Sequence, residues 1–137
     1  MKFLNIKKIK RVAYVSFTRK KSLNALNSGT LKELIDLNLK IKKDTNIKVV
    51  VYRSDGNHFS AGADIKEKTK KLSNLKIWKT NLGREAIDSI LNLDQITIAS
   101  LNGYCLGGAA CIATACDFRV ASQSTKVGYP EIDLGMN

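Results

Sequence analysis

The 137-residue chain is long enough for one domain with a single core, and its 44% hydrophobic content is ordinary for a globular protein. Its 23 basic and 12 acidic residues leave a net charge of +11, carried mostly by lysine, since arginine occurs only at positions 11, 19, 53, 84 and 119. Cys105, Cys111 and Cys116 match no zinc spacing and no disulfide framework, and the opening MKFLNIKKIKR meets charge too early for a signal peptide.

The basic excess can draw nucleic acid, anionic membranes or phosphorylated ligands. It also arises from a drift toward Lys, Asn and Ile, with lysines solvating the surface. No lysine cluster interleaves with aromatics as an RNA-stacking surface requires. The three cysteines read as small buried thiols of a reducing compartment, and a cytoplasmic location is expected.

Residues 3–8 and 12–17 alternate loosely and predict a β-hairpin. Residues 19–24 form a basic loop. Ser28 or Thr30 is expected to cap a helix over 31–43, with Leu31, Leu34, Ile35, Asn38 and Ile41 near one face. Residues 47–52 (IKVVVY) run apolar without alternation, as a strand covered on both faces does. A loop over 54–63 and a short helix over 64–70 follow. The spacing of Leu75, Trp78, Leu82, Ala86, Ile90 and Leu93 predicts a helix over 74–91.

From Gln95 to Cys116 there is no charged residue. That length could span a bilayer, but Asn102-Gly103 and three glycines favour a strand over 96–101, a break, and a buried helix over 107–116. Short strands over 118–121 and 126–129 close the series. Strands alternating with helices predict an α/β fold with parallel strands and crossover helices.

Two stretches put glycine where a strand ends: Gly62 in HFSAGADIK and Gly107-Gly108 in NGYCLGGAA. Ligands in open α/β sheets sit beyond such strand ends, and a helix N-terminus offers unpaired N–H groups. Two loops can therefore aim one N–H each at a single point, which is oxyanion-hole geometry. The alternative is that Gly-Gly only permits tight helix–strand packing. Neither stretch is GxGxxG, and there is no GK[ST], so a P-loop is excluded.

FSAGADIK, NGYCLGGA, CDFRVAS and GYPEIDLG occur in an order and spacing that resemble the enoyl-CoA hydratase/isomerase (crotonase) superfamily. RKKSLNAL (19–26) is similar to that family's Arg-Pro-x-x-x-Asn-Ala-Leu loop, with Lys20 where proline is usual. The resemblance begins near residue 10 and runs to the last residue. It implies a spiral of ββα units acting on coenzyme A thioesters, with no separate cofactor and no metal. It further implies that the Ala63 and Gly108 N–H groups bind the thioester oxygen. Lys21, Leu23, Ala61, Asp64, Ile65, Lys66, Gly107 and Pro130 fall at substrate-binding positions, Lys66 near a phosphate, although solvated surface roles compete for both lysines.

The resemblance also implies which acid/base groups decide the chemistry. Family hydratases hold a water between two glutamates. One such position is Glu131 here; the other, three residues after Gly108, is Cys111. Asp117 is too far along the helix to substitute, and Asp133 could share the face of Glu131 on an extended segment. A thiol near its ordinary pKa of about 8.5 is mostly neutral at pH 7 and holds water poorly. A lone Glu131 suits double-bond isomerisation, taking a proton from C2 and returning it at C4, with its own pKa expected to rise on burial. Hydratase is the runner-up. A non-catalytic acyl-CoA-binding module and an RNA-binding protein using Lys66, Lys68, Lys70 and Lys71 are the other readings. Members of the family are about twice this length, so the chain is expected to be a partial core domain over 1–137. It would be truncated before the C-terminal helical region, with strand edges uncovered and trimeric or hexameric assembly reserved for a full-length protein.

Overall fold

The computed structural model describes residues 1–70, 82–131 and 133. Two strands, β1 (Leu4–Ile9) and β2 (Val12–Phe17), form the expected antiparallel hairpin, turned at Lys10 with φ +51°. β3 (Val49–Ser54), β4 (Ile96–Leu101) and β6 (Phe118–Ala121) then add in parallel, giving the order β1-β2-β3-β4-β6. β5 (Tyr104–Leu106) and β7 (Lys126–Gly128) pair in parallel as a second small sheet. Among the described residues the α-helices are α1 (Ser28–Lys43), α2 (Ile65–Lys70), α3 (Leu82–Leu91) and α4 (Gly108–Ala115).

Helix α1 starts earlier than the periodicity predicts, because its cap is Asn27 rather than Ser28 or Thr30. Asn27 has extended backbone, and its Oδ1 accepts the Thr30 N–H at 2.8 Å. Such a cap contributes about 1 kcal/mol. β3 starts at Val49, two residues late, since Ile47 buries its side chain in the turn after α1 and donates its N–H to Asp44. For the predicted helix over 74–91, the part before Leu82, with Leu75 and Trp78, lies outside the described residues. Strand β5 was not expected. Three residues are too few to show alternation, and Asn102-Gly103 reads only as a stop.

The helices pack on one face of the large sheet. Ala13, Val15 and Phe17, Val50 and Tyr52, and Ala99 and Leu101 point into it and are buried. They meet Leu34, Leu37 and Ile41 of α1, Ala86 and Ile90 of α3, and Ala109, Ile112 and Ala113 of α4. A polar thread crosses this core. The Tyr52 hydroxyl donates to Asn38 Oδ1 (2.7 Å), and Asn38 Nδ2 donates to Ser89 Oγ (2.9 Å), tying β3 to α1 and α3. This explains a polar Asn38 on an apolar face. Burial pushes the Tyr52 hydroxyl well above its ordinary pKa, so it stays a donor.

The expectation that the strand over 47–52 is covered on both faces is corrected, and its neighbour β4 behaves alike. Val49, Val51 and Ile98 are only half-buried, and Ile96 is 51% exposed, all pointing away from the helices. A continuous apolar run marks burial on average; it does not separate one strongly packed face from one lightly covered face.

Candidate active site

Four segments run side by side at the carboxyl ends of the large sheet. The Leu26 N–H donates to Gly62 O (2.7 Å), and the Asp64 N–H donates to Leu26 O (3.0 Å). The Ser60 N–H donates to Tyr104 O (2.9 Å), and the Leu106 N–H returns to Ser60 O (3.1 Å). The Gly107 N–H donates to Gly128 O (2.8 Å). The chain thus lays residues 23–26, 59–64, 104–107 and 126–128 in one layer.

Within that layer, residue 26 bonds both neighbours of Ala63, so the Ala63 N–H points the other way. Among the described residues, neither the Ala63 nor the Gly108 N–H donates to any group. Gly62 has φ +88°, and a Cβ built on it would stand 3.6 Å from Gly108 N and 2.5 Å from Leu106 O. The peptide carrying the Ala63 N–H therefore lies beside the start of α4, where helix N–H groups are unpaired. Only glycine fits at 62.

Gly107, with φ +53°, precedes α4 instead of opening it as predicted. Its missing side chain makes room for Glu131. A Cβ on Gly107 would stand 2.0 Å from Glu131 Oε1. Glu131 is half-buried, and its Oε2 is buried without a hydrogen-bond partner. Glu131 and Pro130 line a small cavity with Ala61, Gly62, Ala63 and Gly107.

Cys111, on the first turn of α4, is exposed, which corrects the expectation of three buried thiols; Cys105 and Cys116 are buried. Desolvation of its sulfur, then repulsion by the Glu131 carboxylate, raises the Cys111 thiol above its ordinary pKa. It is therefore neutral at pH 7. Cys111 and Gly108 also line an apolar cavity of about 290 Å³, walled by Leu26, Leu31, Ile87 and Ile112. Sequence reading missed this cavity, because its walls come from the 23–26 segment, α1, α3 and α4 with no common motif.

The family model described as enoyl-CoA hydratase/isomerase matches residues 7–137. The chain belongs to the enoyl-CoA hydratase/isomerase family. It is 39% identical over 128 residues to a short-chain-enoyl-CoA hydratase of Clostridium acetobutylicum, covering 92% of this chain and 49% of the relative. It is 32% identical over 136 residues to a crotonyl-CoA hydratase of Syntrophomonas wolfei, covering 96% and 51%. Among solved structures, an enoyl-CoA hydratase/carnithine racemase from Magnetospirillum magneticum superposes with TM-score 0.93 at 29% identity, over 100% of this chain and 52% of the other. An enoyl-CoA hydratase from Bacillus anthracis gives 0.92 at 29%, over 98% and 53%. The chain spans about half the length of the curated relatives it matches.

This member of the enoyl-CoA hydratase/isomerase family gathers some of the residues singled out by sequence and separates others. Ala61, Ala63, Gly107, Pro130 and Glu131 share the small cavity with Ile65, while Gly108 fronts the apolar one. Lys21 and Leu23 lie exposed on the loop that contains a 3-10 turn at Lys20–Ser22, and Lys66 is exposed on α2. The Asp64 carboxylate is already engaged, pairing with Arg19 at 2.9 Å and accepting the Lys66 N–H at 3.1 Å. Arg19 also donates to Ala25 O, so it clamps the loop that carries Lys21 and Leu23. Sequence reading treated Arg19 only as part of a motif. Asp117 accepts from the Thr97 N–H (2.7 Å) and hydroxyl (2.9 Å), and Asp133 is exposed. Among the described residues, no three His, Cys, Asp or Glu side chains cluster as metal ligands, and no helix is long and apolar enough to cross a membrane.

Proposed function

We propose that the chain carries the oxyanion site and the proton-transfer group of an acyl-CoA enzyme, and that its reaction is double-bond isomerisation of a 3-enoyl thioester. The observation carrying this reading is the Glu131 carboxylate seated against Gly107, one residue from the free Gly108 N–H, with a neutral thiol at Cys111.

The Ala63 and Gly108 N–H groups donate to the thioester oxygen. Charge builds on that oxygen as C2 loses its proton, so each donor contributes more in the transition state than in the ground state. One such donor is worth about 3–4 kcal/mol. Glu131 removes the C2 proton and returns it at C4. The acyl chain lies along the apolar cavity fronted by Gly108 and Cys111. Lys21, Leu23, Ala61, Ile65 and Lys66 hold the coenzyme A portion, with Arg19 and Asp64 fixing the loop that presents them. Coenzyme A is part of the substrate, no separate cofactor is invoked, and the full-length protein assembles with copies of itself.

A second reading, hydration of a 2-enoyl thioester, is favoured by the relatives' names, which are hydratases. It lacks a second carboxylate, because Cys111 stands where one would hold the water. The test offers 3-enoyl-CoA and 2-enoyl-CoA to the wild type, Glu131→Gln and Cys111→Glu. The expected result is isomerisation by the wild type, its loss in Glu131→Gln, and hydration gained by Cys111→Glu. A wild type that hydrates faster than it isomerises sinks the first reading; thermal stabilisation by CoA with no turnover reduces the chain to a binding module.

A further inference from the structure

The net charge is not spread along the chain. Residues 1–53 hold 14 basic and 3 acidic side chains, which is the whole +11, while residues 54–137 hold 9 of each. A drift in composition would load both parts alike. The charged part comprises β1, β2, α1 and β3 up to Arg53, and β1 is the edge of the large sheet farthest from β6. Lys40, Lys42 and Lys43 lie in the last turn of α1 and oppose its dipole. That account does not reach Lys7, Lys8, Lys10 and Arg11 on the hairpin.

Among the described residues, β1 has β2 as its only strand neighbour. The start of its outer edge is nonetheless in use. The Glu33 carboxylate accepts the N–H groups of Lys2 (2.6 Å), Phe3 (2.9 Å) and Leu4 (3.0 Å). Along an antiparallel edge strand the N–H groups alternate between the neighbouring strand and the outside. Leu4 points outward to Glu33, so Ile6 and Lys8 point outward as well, and among the described residues no loop or side chain accepts from either. Beside them an apolar groove of about 280 Å³ opens between β1 and α1, lined by Met1, Ile6, Leu37 and Ile41 together with Lys8 and Lys40. Ile6 and Lys8 share the helix side of the sheet with their partners Val15 and Ala13, and Lys7 faces the other side. One more strand along this edge would lay every second side chain into the groove and the others beside Lys7. Lys8 pairs with Asp44 at 2.7 Å, whereas Lys7 and Lys40 have no ion pair among the described residues.

We infer that the outer edge of β1 is a docking site for an extended acidic segment of another polypeptide. Its backbone continues the ladder at Ile6 and Lys8, its apolar side chains enter the groove, and its carboxylates meet Lys7 and Lys40. Glu33 already brings a carboxylate to the same edge one step earlier. A second copy of this chain is refused by charge, since lysines would lie on lysines, the usual guard of an edge strand against its own kind. A nucleic acid fits less well. The nearby aromatic faces are taken, with Lys2 and Arg19 over Phe3 and Arg53 over Tyr14, so none is left for a base. A flat anionic bilayer would leave both the groove and the edge donors empty.

The test involves no acyl-CoA, so its outcome is independent of the proposed reaction. The probe is a short fluorescent peptide alternating valine and glutamate, capped at both ends, added to the full chain. It is expected to bind at least about tenfold more tightly than the same peptide with lysine for glutamate, and more weakly as salt rises. Amide exchange at Ile6 and Lys8 should slow at least about tenfold on binding. Methylating alternate peptide nitrogens, which removes the ladder donors of one edge, should abolish binding. Lys7→Glu with Lys40→Glu should reverse the preference between the two peptides, while Lys126→Glu, on β7, leaves it intact. If the paired glutamates prevent folding, the methylated peptide still decides the matter with the unaltered chain. The inference is overturned if the two peptides bind alike, if methylation changes nothing, or if Ile6 and Lys8 exchange as in the free chain. It is equally overturned if a single-stranded oligonucleotide or phosphatidylserine vesicles protect these two amides where the acidic peptide does not.

Discussion

Adding one methyl group at Gly107 tests whether the carboxylate of Glu131 works from where it sits. A Cβ there stands 2.0 Å from Oε1, against an ordinary contact of 3.4 Å or more, so the carboxylate must retreat by at least about 1.4 Å (3.4 minus 2.0). The backbone at φ +53° and ψ −121° adds about 1–3 kcal/mol of strain for a non-glycine residue. A misplacement of about 1 Å lowers a positioned proton transfer by about 100-fold. The assay is exchange of the C2 hydrogens of a 3-enoyl thioester with D2O, run beside urea denaturation. Gly107→Ala should lose about 1–3 kcal/mol of stability and about 100-fold in exchange rate. In a Glu131→Ala background the same methyl group should cost only the backbone strain. A Gly107→Ala protein that exchanges like wild type, while Glu131→Gln does not, would refute the placement of the base.

Gly62→Ala forces a Cβ to 2.5 Å from the Leu106 carbonyl at φ +88°; the backbone cannot yield as a side chain does, and a loss of roughly 2–3 kcal/mol is expected in urea. Tyr52→Phe strands the buried Asn38 Oδ1 and should cost about 1–3 kcal/mol in the same assay. Asp117 supplies a pH-dependent contribution. Its bonds from Thr97 hold the folded carboxyl below the usual range, so the stabilisation is complete above the unfolded pKa and is lost as pH falls through the folded one. Asp117→Asn should therefore be less stable than wild type at pH 7, the gap closing in strong acid; a gap constant with pH would remove the charge from the account.

What sequence revealed and what it hid divide along a physical line. Glycines at 62 and 107 were legible because positive φ and close approach admit almost nothing else, and local chemistry leaves a local mark. Helices α1 and α3 and the β1–β2 hairpin were legible through their period, and β3 and β4 as uncharged apolar runs. The choice of Asn27 over Ser28 as cap was not, since either side chain suits the role and only the chain's entry angle decides. The Arg19–Asp64 clamp spans 45 positions, and no spacing rule predicts it. The apolar cavity drew its walls from three helices and the Leu26 segment, and the open face of the sheet looked buried because Val and Ile serve both faces alike.

Under the proposed reaction, a thiol rather than a carboxylate at 111 does more than leave out one ligand for water. Two carboxylates around one small site repel, and each raises the other's pKa. With a neutral thiol at 111, Glu131 faces no negative charge from α4. That arrangement suits the proposed shuttle, in which Glu131 starts and finishes as the carboxylate: the proton leaves C2 for its oxygen and passes from there to C4. Restoring a carboxylate by Cys111→Glu should therefore do two separable things. It should create a water site, read as hydration of 2-enoyl-CoA, and it should shift the pH profile of C2 exchange toward higher pH by loading Glu131 with a like charge. Hydration without the pH shift would mean that the new carboxylate and Glu131 do not sense each other, and the two-residue geometry argued here would fail.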